Sequence, residues 1–328
     1  MSVLITGGTG FIGSRLAYAC RDSGQAVKVL GQENTPAERA NACWLTEKGV
    51  ELILGSVGEE GVVRDAMAGV DTVYHLAAAQ HEVNVPDSHF REVNVEGTRR
   101  VLDAASAAGV RRVVHGSTIG VYGALEGTID ENSPCRPDNV YGITKLEGER
   151  VVRSFNGRLE AVIVRISETY GPGDRRLLKL FRAIKGGRFF RIGNGRNLHH
   201  LIYVDDLIDG MRRASESDRA AGHTFVISGR EPVTTDAMMD AIARALDVAP
   251  PRLRFPLWPF MAAAVVMEAV LRPAGIQPPL HRRRMDFFRK GFVFDQTRCR
   301  EALGFEPATG FVEGARRTAR WYEDQKLL

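Results

Sequence analysis

Long apolar runs, paired cysteines and a dominant charge are all missing from this chain of 328 residues. The longest apolar stretch, LWPFMAAAVVMEAVL at 257–271, is broken by Glu268 and is short for crossing a bilayer. A helix packed in a substrate-binding region is the expectation for it, with an interfacial helix resting on a membrane as the alternative. The four cysteines, Cys20, Cys43, Cys135 and Cys299, are far apart and form no C-x-x-C. That set speaks against a disulfide framework and suits a reducing, cytoplasmic setting. A formal charge of +4 is small for this length, so a general nucleic-acid surface is not implied. His199 and His200 point to opposite sides of a strand, and no histidines pair at i, i+4 on a helix, so no metal site is expected. No G-x-S-x-G occurs, which removes the usual hydrolase elbow. The opening MSVLITGG reads as a strand entering a glycine turn and not as a signal peptide.

What is present alternates. Short apolar runs (SVLIT, AVKVL, VELIL, DTVYHL, RRVVHGS, AVIVRI) are separated by helical stretches such as SRLAYACRDSG and NVEGTRRVLDAASAAG. The strands are continuously apolar, as in an α/β parallel sheet covered on both faces. Right-handed crossovers then give a doubly wound sheet with a ligand crevice at the strands' carboxyl ends. After about residue 171, Gly, Pro and Arg become frequent and the alternation weakens. HLIYVDDLIDGMRRA and HTFVISG look like a return to the first domain. The expected division is 1–171 with about 201–231 as a cofactor domain, and about 172–200 with 232–328 as a smaller, discontinuous α/β substrate domain.

ITGGTGFIGSRLA places Gly7, Gly10 and Gly13 between the first strand and the first helix. Glycines let backbone approach a pyrophosphate, whose charge meets free N–H groups at a helix N-terminus. At the end of the second strand an acid would select NAD and an arginine NADP. Here Gly31 and Gln32 stand in those places, and Glu33, one residue on, would repel a 2′-phosphate; the preference is NAD over NADP.

Three tyrosines precede a glycine: Tyr122, Tyr141 and Tyr170. Four residues on stand Glu126, Lys145 and Asp174 respectively, so only Tyr141 has a cation on its helical face if 138–155 is a helix. An ammonium about 5 Å from a phenol contributes about 3 kcal/mol to the phenolate, or about two pKa units. The pair suits a base that removes a proton from an alcohol while hydride departs. Tyr122 is expected near the substrate without an activating cation. Ser117 and Thr118, ending the fifth strand, offer hydroxyls that hydrogen-bond a reacting oxygen.

Together, TGGTGFIG, DTVYHLAA, NVEGTRRVLDAA, STIGVYG, YGITK, RISETYGPGD and YVDDL resemble an extended short-chain dehydrogenase/reductase of the NAD-dependent epimerase/dehydratase type. The resemblance implies a Rossmann domain, a homodimer through the helices after Asn94 and around Tyr141, and a small-molecule substrate. It implies Thr118 as the catalytic hydroxyl, Tyr141 as acid/base and Lys145 as its partner. Cofactor contacts are implied for Gly7, Gly10, Phe11, Ile12, Gly13, Gln32, Leu76, Ala77, Ala78, Ser117, Tyr141 and Lys145.

The departures bear on substrate. Ile119 and Gly120 follow Thr118 where water-eliminating members carry an Asp-Glu pair, which weakens a dehydratase reading. Glu168 replaces an Asn that faces a substrate diphosphate, and an unpaired anion there would repel it. His199 stands where a nucleotide-binding Arg is common, and Arg289 remains for a phosphate. Gln80, His81 and Glu82 are polar candidates in the loop after the fourth strand. A nucleotide-sugar epimerase is the leading expectation. The alternative is a dehydrogenase or reductase for a lipid-like alcohol, since 257–271 and 278–294 also resemble 3β-hydroxysteroid dehydrogenase-like members. A cofactor-sensing protein without turnover is a third reading, against which the Thr118, Tyr141 and Lys145 set argues.

Overall fold

A computed structural model describes residues 1–80, 85–125, 127–271, 276, 278–280 and 282–328, the Arg283 side chain excepted. Glu126 and the loop candidates His81 and Glu82 lie outside the described residues. Seven strands form the central sheet: β1 Ser2–Thr6, β2 Ala26–Gly31, β3 Glu51–Leu54, β4 Thr72–His75, β5 Arg112–Thr118, β6 Glu160–Ile166 and β7 Thr224–Ile227. Their order is β7-β6-β5-β4-β1-β2-β3, with every neighbouring pair parallel. This is the doubly wound Rossmann sheet, and the order reverses between β1 and β4.

Alternate residues of each strand enter different cores, because a strand's side chains point to opposite faces. Val3 and Ile5 of β1 join Tyr74, Val114 and Val164 in one cluster with Leu16 and Met211. Leu4 joins Val73, Val113 and Ile163 in the other with Val101, Leu102 and Val151. The helices of this part are α1 Phe11–Asp22, α2 Pro36–Glu47, α3 Glu60–Ala66, α4 Asp87–Arg91, α5 Gly97–Ala107, α6 Val140–Arg153 and α8 Val204–Glu216, with α7 Leu178–Lys185 set apart from the sheet. A π-helical turn, Glu92–Glu96, joins α4 to α5.

Beyond them come α9 Thr235–Ala245, α10 Trp258–Leu271, α11 Arg282–Met285, α12 Thr297–Leu303 and α13 Phe311–Asp324. Phe181 of α7, Met238 and Ile242 of α9, and Ala315 and Tyr322 of α13 share a third core with Tyr170. The helix around Tyr141 begins where its residues dictate. Asn139 is extended and its side chain accepts from the Gly142 N–H, a good N-cap.

Candidate active site

The glycine turn is a cradle that side chains would fill. Gly7 has φ +67, and a Cβ there would lie 2.7 Å from the Ala77 nitrogen. A Cβ on Gly13 would lie 2.4 Å from the Gly7 carbonyl oxygen. The turn is therefore pressed against Leu76 and Ala77 at the end of β4, across the switch point of the sheet. Gly10 is the N-cap of α1 and no side chain caps that end. The helix's first N–H groups are thus left for an anion. Such a cradle fits a dinucleotide pyrophosphate. Gln32 is exposed at the end of β2, and its carbonyl accepts from Thr9 at 2.8 Å. Phe11 is covered from the other side by the GPGD segment, since a Cβ on Gly173 would lie 2.9 Å from its ring.

On the far side of the crevice β5 ends at Thr118, whose Oγ1 accepts from the Gly120 N–H at 3.0 Å. Its own hydroxyl proton can still be donated to another oxygen. The turn at Gly120 presses against the start of α6: a Cβ on Gly142 would lie 2.6 Å from the Gly120 carbonyl oxygen. Tyr141, partly buried, precedes that contact directly, so Thr118 and Tyr141 come from two elements in backbone contact. Lys145 lies one helical turn on and is 1% exposed. Burial pulls its ammonium down to about 8, against the opposing charge of Glu149.

Beneath Lys145 lies a polar stack in register across the sheet: Thr6, His75 and His115. The Lys145 Nζ is 3.4 Å from His115 Nε2. Thr98 donates to the Asn94 carbonyl, so it accepts from His75 Nε2–H, and Thr6 donates to His75 Nδ1. Burial holds His75 down to about 3 and His115 well below its ordinary range, with the Lys145 charge acting the same way. Both rings are neutral, and His115 presents a lone pair to the ammonium.

The sequence reading passed over two supports. Asn94 is fully buried in the π-helical turn. Its Oδ1 accepts from Ala79 N–H, and its Nδ2 donates to the Ala79 carbonyl and to Thr144. It thereby ties the loop after β4 to the helix carrying Tyr141. Glu149 is also fully buried and receives Arg165 through two nitrogens at 2.9 and 2.8 Å, with Arg153 at 2.9 Å. Burial raises its carboxyl, but the Arg165 bonds and charge outweigh this and hold it below the ordinary value.

That network corrects two expectations. The buried Ser117 hydroxyl donates to Glu149 at 2.6 Å, so it fastens β5 to α6 and its proton is not offered to a reacting oxygen. Tyr122 does have a cation beside it: Arg165 donates to its oxygen at 2.8 Å. The phenol nevertheless donates to the Asp130 carbonyl, and burial pushes its pKa up despite Arg165. Tyr170 is a core residue between Tyr203 and Phe311.

The substrate candidates fall into separate places. Glu168 and His199 meet, Oε2 to Nδ1 at 3.5 Å. His199 Nε2 lies 2.9 Å from Thr235 Oγ1 and 3.1 Å from Asn197 Nδ2, which leaves Nδ1 turned to the carboxylate. Burial raises the Glu168 carboxyl, but the bond and charge from His199, then the charge of Arg176, bring it below its usual value. Arg289 is more than half exposed and holds Asp286 at 2.9 Å. Gln80 is exposed beyond Ala79.

Comparison with known proteins settles the family. The model of the NAD dependent epimerase/dehydratase family matches residues 3–228. The chain belongs to the NAD-dependent epimerase/dehydratase family. It is therefore an NAD-dependent enzyme of the extended short-chain dehydrogenase/reductase type. The 3beta-hydroxysteroid-dehydrogenase/decarboxylase isoform 2 of Arabidopsis thaliana is 31% identical over 82% of this chain, which spans about half (51%) of that relative's length. The N-acetyl-alpha-D-glucosaminyl-diphospho-ditrans,octacis-undecaprenol 4-epimerase of Escherichia coli O157:H7 is 25% identical over 98% of this chain and 95% of its own. Among solved structures, DesIV, a dTDP-glucose 4,6-dehydratase from Streptomyces venezuelae with NAD bound, is 27% identical with a TM-score of 0.80. That match covers 99% of this chain and 98% of DesIV.

Proposed function

We propose that the protein performs reversible hydride transfer at a carbinol carbon, as an epimerase of a nucleotide sugar. The observation that supports this reading is the contact of Gly142 with Gly120, which sets the element carrying Tyr141 against the turn that follows Thr118. Bound NAD supplies the two-electron acceptor and donor. Gly7, Gly10, Phe11, Ile12 and Gly13 would hold its pyrophosphate, with Leu76, Ala77 and Ala78 next to it. Tyr141 takes the alcohol proton and returns it. Lys145, charged at neutral pH, stabilises negative charge on the phenolic oxygen from the same helical face. Thr118 donates its hydroxyl proton to the substrate oxygen. Ile119 and Gly120 offer no acid/base pair for eliminating water, which favours epimerisation over dehydration. In this reading 172–200 and 232–328 cover the crevice as a substrate lobe, and the protein is a homodimer through α5 and α6.

A second reading, oxidation or reduction of a lipid-like alcohol, is favoured by Glu168. Paired with His199, it adds no net positive charge where a substrate diphosphate would need one. Thermal melting with NAD and a panel of UDP- and dTDP-sugars separates the two, because a ligand that binds only the folded state raises the melting temperature. The epimerase reading expects stabilisation by a nucleotide sugar without build-up of NADH. Indifference to every nucleotide, with NADH formed from a sterol or other lipid alcohol, overturns it.

A further inference from the structure

The face of α10 is inverted. Its outward residues are Trp258, Ala262, Val265, Val266, Ala269 and Val270, all exposed and all apolar. The helix's one charge, Glu268, is turned inward, 6% exposed, and paired with Arg282 at 2.7 Å. A solvated helix face carries its charges outward. Of eleven exposed large hydrophobic residues among those described, seven lie between Leu253 and Ile276. Trp258 is 72%, Val266 61% and Val270 64% exposed.

The surroundings of this patch are basic. Residues 251–290 contain eight arginines and lysines against two carboxylates, so this segment carries +6 in a chain whose total is +4. Arg252 and Arg254 precede α10, and α11 with Arg282 and Arg284 packs against it. No helix among the described residues is long and apolar enough to cross a membrane. At 14 residues α10 is about 21 Å long, a length that suits lying in an interface. A two-fold contact between copies of this chain would bring two such positive rims together, whereas an anionic bilayer attracts them.

We infer that the α10 face, with its arginine rim, is a docking surface for an anionic lipid bilayer, with the helix lying in the headgroup plane. The docked face adjoins the candidate substrate region, because the Asp286–Phe288 turn follows α11 and Phe287 packs on His199 at 4.6 Å. The inference stands without the proposed reaction.

Sedimentation of the full chain with vesicles of phosphatidylcholine and phosphatidylglycerol tests it, against vesicles of phosphatidylcholine alone. Binding is expected to the anionic vesicles, weakened by salt and lost at least tenfold in Val266→Asp/Val270→Asp. Far-UV circular dichroism and NAD affinity of that variant show that it is folded. Trp258 fluorescence is expected to be quenched by brominated lipid, with the quenching diminished in Trp258→Phe while sedimentation persists. No sedimentation with anionic vesicles, or equal sedimentation by the folded double variant, overturns the inference. A change from dimer to monomer in that variant without any effect on vesicle binding assigns the face to a second copy instead.

Discussion

Lys145 is a buried cation whose proton is held less firmly in the fold than in the open chain. Its pKa falls from 10.5 to about 8 through burial. Between those values the unfolded chain keeps the proton and the folded protein has released it, so stability rises with pH across that window. The rise is about 3 kcal/mol for a shift of this size. Urea unfolding at pH 8 and pH 10.5 is expected to show it in the natural protein and to lack it in Lys145→Met; equal slopes would show that the lysine is not desolvated. The Tyr141 and Lys145 pair was legible in the sequence because both residues belong to one helix, where spacing alone sets the shared face. The partners of Lys145 were not legible. His115 reaches it from a strand 30 residues away, and the tautomer of His75 depends on two threonines from different elements. Periodicity does not report which residues meet across a sheet. The same limit hid the contact between Glu168 and His199, two residues that read separately as a repulsive anion and a missing arginine.

At the scale of elements, the candidate site depends on how closely α6 approaches the turn after β5. Gly142 permits that approach, and Asn139, Asn94 and Glu149 hold it in place. Gly142→Ala would put a methyl 2.6 Å from the Gly120 carbonyl and 3.0 Å from Pro137 Cβ, with backbone unable to yield cheaply. A loss of about 1–3 kcal/mol in stability is expected, as for overpacking generally. Turnover is expected to fall much further than NAD affinity, because the displaced parts are Thr118 and Tyr141 and not the glycine cradle. Steady-state kinetics with an NAD titration checks this, and an equal loss in both would place the contact in cofactor binding. The strands were readable in advance from their apolar runs, whereas α6 entered only as a condition on 138–155, which the structure meets over Val140–Arg153. Ser117 was misread because a hydroxyl at the end of a strand looks the same whether it faces a crevice or a buried carboxylate. Glu149, its acceptor, lies 32 residues later, on a helix read for its tyrosine and lysine. The π-helical turn carrying Asn94 has no sequence signature, although its side chain fastens two elements of the site.

For the whole molecule, the buried histidines contribute to the response to acid, alongside carboxylates such as Glu149 and Glu168 that are held below their ordinary values. His75 is held down to about 3 and His115 is lowered well below 6.5, both by burial. Below pH 6.5 the unfolded chain takes up protons that the folded protein refuses, so stability is present above 6.5 and is lost as pH falls towards 3. His75 contributes a slope of about 1.4 kcal/mol per pH unit in that range, and His115 acts in the same direction. Denaturant unfolding across it is expected to show the decline, and a flat profile would mean that the rings accept protons in the folded state. The doubly wound sheet was legible because continuous apolar strands alternating with helices admit few other arrangements. Substrate identity was less legible, since the proposed substrate lobe is drawn from segments after residue 171, where that alternation breaks down. The central claim concerns Tyr141, and the most direct measurement compares Tyr141→Phe with the natural protein on a nucleotide sugar found by thermal stabilisation. Turnover is expected to fall about 10³-fold, within the usual reach of general acid–base catalysis, while NAD affinity stays nearly unchanged. Full turnover by the phenylalanine variant, or loss of its NAD binding, would contradict the account.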